Sequence, residues 1–254
     1  MTALVTGASG GLGREVAVAL AGAGHDVAVH YRGDPDGAAS TLAAVESTGR
    51  RGATLHADLD VDEPAALDLA CEGLLDRCGA ALGGGPDVVV LSAFPQEPTA
   101  WDDLDTATWD AYYRGGLRPT AALLHRAAVR MVASGRGGVV VAVGSIEAWR
   151  PATGHAPYAV TKAALHHLVA AAAHELGPRG VRVVGVAPGL VDRKGLARDW
   201  PEGVARYRAA SALGRPVQPQ EVAAAVVFLA SAAASGVTGT VLAVDAGWSS
   251  APGW

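Results

Sequence analysis

Tyr158 and Lys162 stand four residues apart, and Ser145 precedes Tyr158 by thirteen, at the end of the apolar run Val139-Val140-Val141-Ala142-Val143. The chain has only two lysines, Lys162 and Lys194, and five tyrosines; arginine carries nearly all its other positive charge. A lysine is a compact ammonium on a flexible stem, whereas arginine is a planar fork that stays protonated, so a site needing a point charge beside a phenol would keep lysine. A spacing of four puts Tyr158 and Lys162 on one face of a helix. A free phenol titrates at about 10, and a neighbouring ammonium favours the phenolate, which would make Tyr158 a usable general acid or base. Ser145, at a strand end, could hydrogen-bond a substrate oxygen. The three residues alone leave open an exposed helix with an ordinary Tyr and Lys.

The N-terminus tips that balance. Residues 3–6 form a short apolar strand that runs into Gly7-Ala8-Ser9-Gly10-Gly11-Leu12-Gly13 and then an amphipathic helix to about residue 23. Glycines allow a tight turn and close backbone approach to a diphosphate, and the helix N-terminus that follows attracts anions. In a chain with 33 glycines the spacing alone is weak. Its strand–loop–helix context is what dinucleotide binding requires.

Further candidate strands lie at residues 26–31, 53–57, 88–91, 139–143, 181–187 and 241–244, with helical stretches between them. Their continuous apolar runs fit a parallel sheet covered on both faces. The expected fold class is α/β, a single doubly wound (Rossmann) domain over residues 1–254, with a seven-stranded parallel sheet of order 3-2-1-4-5-6-7 and helices on both faces. Half the residues are hydrophobic, ample for a core, and the net charge of −5 argues against a nucleic-acid surface. Cys71 and Cys78, on one predicted helix, read as reduced core thiols. No leader of the secretory type and no apolar stretch of spanning length is evident, so a cytoplasmic protein without membrane partners is expected.

At this point the motifs resemble those of the classical short-chain dehydrogenase/reductase family over essentially the whole chain. Thr6-Gly7 through Gly13 resembles its cofactor loop, and Asp58-Leu59 its adenine-contacting pair. Ser145, Tyr158 and Lys162 match its catalytic Ser, Tyr and Lys, and Pro188-Gly189 its turn near the nicotinamide. Gly214-Arg215-Pro216, Glu221-Val222-Ala223, Thr238-Gly239 and Asp245-Ala246-Gly247 follow its C-terminal pattern. The resemblance implies hydride transfer between a nicotinamide and a ketone or alcohol. Tyr158 would protonate the developing alkoxide, Ser145 would hold the same oxygen, and Lys162 would bind the ribose and depress the Tyr158 pKa. Cofactor contacts would come from Gly7, Ser9, Gly10, Gly11, Leu12, Gly13, Tyr31, Arg32, Asp58, Leu59, Ser92, Ala93, Tyr158, Lys162, Pro188, Gly189 and Val191.

Three positions depart from the family pattern. Leu91-Ser92-Ala93-Phe94 replaces its usual Asn-Asn-Ala-Gly. Gly116 stands where a catalytic Asn often helps place a water in a proton relay to the Lys. Arg193 stands where a Thr commonly follows the Pro-Gly turn. The missing Asn keeps a second class open: a protein of this fold without redox turnover, such as a cyclase, dehydratase or binding scaffold. Reduction of a C=N or C=C bond is a further option.

The second strand ends His30-Tyr31-Arg32-Gly33-Asp34, without an acid at the position that binds a ribose 2′-hydroxyl. Arg32, helped by Arg14, would meet a 2′-phosphate, so NADP(H) is favoured over NAD(H); Asp34 could reverse that preference. A substrate lid is expected at about residues 190–213, with Arg193 and Trp200, while Phe94, Glu147, Trp149 and His155 border the pocket. A small-molecule substrate, a ketoreductase role in bacterial and possibly secondary metabolism, and no metal site are expected. His166, His167 and His174 read as surface or interface residues. The small-residue run Val169-Ala170-Ala171-Ala172-Ala173 would let helices approach closely, and a homodimer or homotetramer follows from the resemblance.

Overall fold

A computed structural model describes residues 1–250. Seven strands, β1 (Thr2–Val5), β2 (Asp26–Tyr31), β3 (Gly52–His56), β4 (Val88–Leu91), β5 (Gly138–Val143), β6 (Val181–Pro188) and β7 (Val241–Val244), form one sheet. All pairings are parallel and the order is β3-β2-β1-β4-β5-β6-β7, as expected from the apolar runs. Three strands keep the expected bounds. The others gain or lose an end residue, because Thr2, Gly52 and Gly138 pair through backbone groups that an apolar-run criterion ignores.

Helices α1 (Gly11–Gly22), α2 (Pro35–Glu46) and α9 (Pro219–Ala230) cover one face, sealing a core of Val5, Val16, Leu20, Val29, Val141 and Val226. The other face carries α3 (Pro64–Leu82), α5 (Arg118–Ala133) and α6 (Ala156–Leu176), packed on Leu4, Val89, Leu123, Val140 and Leu165. Alternate residues of one strand, such as Leu4 and Val5, thus feed opposite cores, which is why the strands read as unbroken apolar runs. A short helix α4 (Thr106–Tyr112) leads into α5 through a π-helical turn, Tyr113–Leu117. The segment expected as a lid folds into α7 (Leu196–Asp199) and α8 (Pro201–Ala210). Among the described residues no helix is long and apolar enough to cross a membrane.

The carboxyl ends of β1, β4, β5 and β6 point to one edge, where the loops bearing Gly7, Ser92, Ser145 and Pro188 converge. Open parallel sheets bind ligands at that edge.

Cys71 and Cys78 are free thiols in the α3 core, and burial pushes both up to about 12. Both should resist a thiol-specific disulfide reagent at pH 8 in the native protein and react together once the chain is unfolded in guanidinium. Rapid labelling of either one in the native protein would contradict this core.

Candidate active site

Pro157 at the first turn starts α6, and the next two turns carry Tyr158 and Lys162 on the buried side. Tyr158 is 7% exposed and Lys162 2%. The Lys162 ammonium donates a 2.7 Å hydrogen bond to the carbonyl oxygen of Val143, at the end of β5. Its Nζ lies 5.5 Å from the centre of the Tyr158 ring and 3.7 Å from that of Phe94. Ser145 follows β5 in extended conformation; its hydroxyl accepts the Glu147 N–H at 3.1 Å and is hydrogen-bonded to the Tyr158 hydroxyl. The three residues therefore meet at one point, as their spacing predicts.

The electrostatics differ from the expectation. Burial pushes the Tyr158 phenol up to about 12, its hydrogen bond with Ser145 opposing only part of the rise. Burial also pulls Lys162 down to about 7. Desolvation thus dominates the phenol, and it acts on both groups because both are buried. Tyr158 is a neutral hydroxyl across the physiological range.

Around this centre, His155 and Glu147 pair at 3.0 Å and both line the cleft. The His155 ring meets that of Tyr158 edge-on, 6.0 Å away. Trp149 does not line the cleft. The turn Ile146–Ala148 swings it outward, where it covers His166 at a ring distance of 4.8 Å. Nor is His166 a surface residue: its Nε2 accepts the Ser145 N–H at 3.4 Å, and a Cβ on Gly144 would collide with it. Burial and the Lys162 charge pull His166 down to about 4, so the ring stays a neutral acceptor. Its sequence signal was the i, i+4 spacing from Lys162, which puts it on the same face.

A cleft of about 1250 Å³ joins this centre to the glycine loop, with Gly7, Gly10, Gly11, Gly13, Ser92 and Lys162 among its lining residues. Gly7 and Gly11 have φ of 63° and 51°, and a Cβ on Gly13 would strike the Gly7 carbonyl. The N-cap Gly10 gives α1 no side-chain cap, so its first N–H groups face the cleft. This cradle fits the diphosphate of a dinucleotide. A residue the motif did not flag holds its shape. His30, buried in β2, accepts the Gly7 N–H at Nδ1 (3.2 Å) and donates from Nε2 to the Ala57 carbonyl (3.0 Å). Burial pulls it down to about 4, which keeps that neutral arrangement.

Beyond the loop, Arg32, Leu59, Ala93 and Phe94 line a smaller cavity of about 290 Å³. Arg32 reaches Asp60 at 3.3 Å, and Arg114 binds Asp60 and Asp62. Asp34 is committed elsewhere: it caps α2 by accepting the Gly37 N–H at 2.9 Å. Arg14 donates to Ser40 on α2 at 2.9 Å. The side chains of Tyr31 and Asp58 stand outside both cavities; Tyr31 packs on His56, and Asp58 accepts the Asp60 N–H.

At the other end of the cleft, Val191, Arg193 and Trp200 lie on the lid, and Arg193 is tied to Asp199 at 3.0 Å. Arg206 sits over the Trp200 ring, and Tyr207 stacks on Trp248. Arg206, Tyr207 and Trp248 all line the cleft. Trp248 comes from the far C-terminal side, and no local motif marked it. Among the described residues no group of three or more His, Cys, Asp or Glu side chains is arranged to hold a metal ion.

A family model described as enoyl-(acyl carrier protein) reductase matches residues 7–249. The chain is 34% identical over 248 residues to an L-rhamnose 1-dehydrogenase (NAD(P)(+)) of a Sphingomonas species, covering 97% of this chain and 95% of that one. It is 36% identical over 250 residues to a cis-4-hydroxycyclohexanecarboxylate dehydrogenase of Sinomonas cyclohexanicum, with the same coverage. The acetoin dehydrogenase crystal structure from Enterobacter cloacae superposes with a TM-score of 0.87 at 30% identity, covering 99% of this chain and 96% of that chain.

The buried ammonium has a stability consequence. Below pH 7 both native and unfolded chains carry the Lys162 proton, and the native state bears the full burial cost; from pH 7 to 10.5 the native state sheds it first, so stability rises. Lys162→Met should therefore gain roughly 1–3 kcal/mol over the wild type at pH 6, an advantage that shrinks towards pH 10. Urea denaturation at the two pH values reads this; a variant no more stable at pH 6 would contradict the burial cost.

Proposed function

The chain belongs to the short-chain dehydrogenase/reductase family, and we propose that it is an NADP(H)-dependent ketoreductase in which Tyr158 is the general acid. Members of the family are oxidoreductases that use a nicotinamide dinucleotide and act between CH–OH and C=O. The observation that carries the proposal is the meeting of Ser145, Tyr158 and Lys162 at one end of a cleft whose other end is the glycine cradle.

Gly7 to Gly13, Ser92, Pro188 and Val191 are the residues that would hold the dinucleotide, with Lys162 towards its ribose. When bound, the cofactor supplies the hydride. The protein's own part is proton and charge management. Tyr158, pushed up to about 12, holds its proton at neutral pH and can give it to a substrate oxygen that gains negative charge. This favours the reductive direction. Ser145, held by the Glu147 N–H and by Tyr158, directs its hydroxyl at the same oxygen. Lys162, fixed by the Val143 carbonyl, supplies a positive charge close to the phenol as the proton leaves it.

The NADP(H) preference rests on Arg32 at the end of β2 and on Asp34, whose carboxylate is occupied as the α2 cap. The substrate end is cationic and aromatic, with Arg206, Trp200 and Trp248, which suits a flat or acidic ketone. The outer side of α6 carries exposed Val160 among small residues, a surface suited to self-association. Static light scattering showing a monomer at micromolar concentration would refute the expected homodimer or homotetramer. The proposed setting is the bacterial cytoplasm; fractionation of the native host's cells reads it, and recovery outside the cytoplasm would refute it.

The direct test is NADPH oxidation and NADP reduction with a panel of ketones, alcohols and enoyl thioesters. Tyr158→Phe should lower kcat at least about a hundredfold with cofactor affinity retained. In the same assay Arg32→Ala should raise KM for NADPH about tenfold and leave that for NADH nearly unchanged. Turnover untouched by Tyr158→Phe would refute the acid role. NADPH binding without turnover on any panel member would favour a non-redox protein of this fold.

A further inference from the structure

Lys162 is nearly buried at the wall of the cleft, yet among the described residues no carboxylate is within ion-pair reach of it. Its one protein acceptor is the Val143 carbonyl. Nζ also lies over the face of Phe94, 3.7 Å from the ring centre. An ammonium at that distance, out of water, is held by the negative face of the ring.

The ring has this place because Gly116 leaves it room. A Cβ on Gly116 would lie 2.6 Å from Phe94 Cζ and 2.8 Å and 2.9 Å from Cε1 and Cε2. Gly116 sits in the π-helical turn between α4 and α5, and its carbonyl accepts the Thr120 hydroxyl at 2.7 Å. At this point the turn therefore gives the Phe94 ring its room, and the Gly116 carbonyl is engaged by Thr120. The same ring meets Tyr158 edge-on at 5.8 Å, with planes 87° apart. Phe94 thus touches both members of the pair.

We propose that Phe94 is a positioning residue for Lys162: its ring face, admitted by Gly116, is the counter-group that favours the charged form and holds the side chain beside Val143 and Tyr158. Its catalytic relevance rests on the role given to Lys162 above, but the contact itself does not. Other titratable groups facing the enclosure are Tyr158 and His166 on α6, Tyr112 from α4, and Glu147 with His155 from the segment between β5 and α6. None of them supplies a negative charge in contact with Nζ.

The rarity of lysine makes the test clean. In a Lys194→Arg protein labelled at the lysine side chain, Lys162 is the one signal. Its Cε resonance gives the titration midpoint by NMR. Phe94→Leu, which keeps apolar volume and removes the ring, should lower that midpoint by roughly one pH unit. Phe94→Tyr should leave it within a few tenths of a unit, because the π face remains. A purely structural role would lower the melting temperature without moving the midpoint, and that result would overturn the proposal. If Phe94→Leu does not fold, the wild-type label decides: the Lys162 Hε resonances should lie upfield of those of Lys194, and coincident resonances would overturn the ring contact. NADPH affinity on the same samples, by fluorescence, separates the two claims. An unmoved midpoint with intact NADPH binding sinks the Phe94 role alone. Absent NADPH binding with a shifted midpoint sinks the proposed function and leaves the Phe94 role standing.

Discussion

A buried ammonium is the constraint around which this site is arranged. Burying an unpaired charge costs several kcal/mol, and proteins accept that only where the charge is met or has a task. Lys162 is met by a strand-end carbonyl and an aromatic face rather than by a carboxylate. A carboxylate would hold the ammonium more tightly but would cancel its charge. A carbonyl and a ring leave most of the positive potential available to Tyr158 and to whatever binds beside it. The arrangement needs β5 to end at Val143, α6 to run beneath it, and the π turn to offer Gly116 instead of a side chain.

Two of the three departures from the family pattern become one feature once the geometry is known. Phe94 and Gly116 lie 22 residues apart in sequence, and the ring of one fills the space left by the other. Neither substitution alone is easily accommodated: a side chain at 116 would meet the ring, and a small residue at 94 would leave Lys162 facing an empty volume. From the sequence, Phe94 reads only as a pocket-bordering residue and Gly116 only as a missing Asn. Nothing in linear spacing shows that β4 and the π turn converge.

Much of the rest was legible. Continuous apolar runs identified all seven strands, because a parallel sheet covered on both faces demands them. Ser145, Tyr158 and Lys162 were legible because a helix repeat and a strand end fix their relative places. Less legible was anything that depends on burial. The phenol was expected to be lowered by its ammonium and is instead raised by its enclosure. Trp149 was expected at the cleft and turns outward, while His166 was expected outside and supports Ser145. His30 looks in sequence like one more residue of an apolar strand, yet it ties the Gly7 turn to Ala57, the residue after β3.

At the cofactor end the same logic holds. Asp34 could be weighed from sequence only as an acid near the end of β2; its commitment to the α2 cap is a matter of local geometry. The central claim, that Lys162 is a buried ammonium built to engage the dinucleotide, is tested most directly by proton uptake on NADPH binding. Isothermal titration calorimetry at pH 8 in buffers of different ionisation enthalpy measures it. Lys162, pulled down to about 7 by burial, should take up a proton as the anionic ligand binds, and Lys162→Met should take up none. Equal uptake by both proteins, or none by the wild type, would contradict the account.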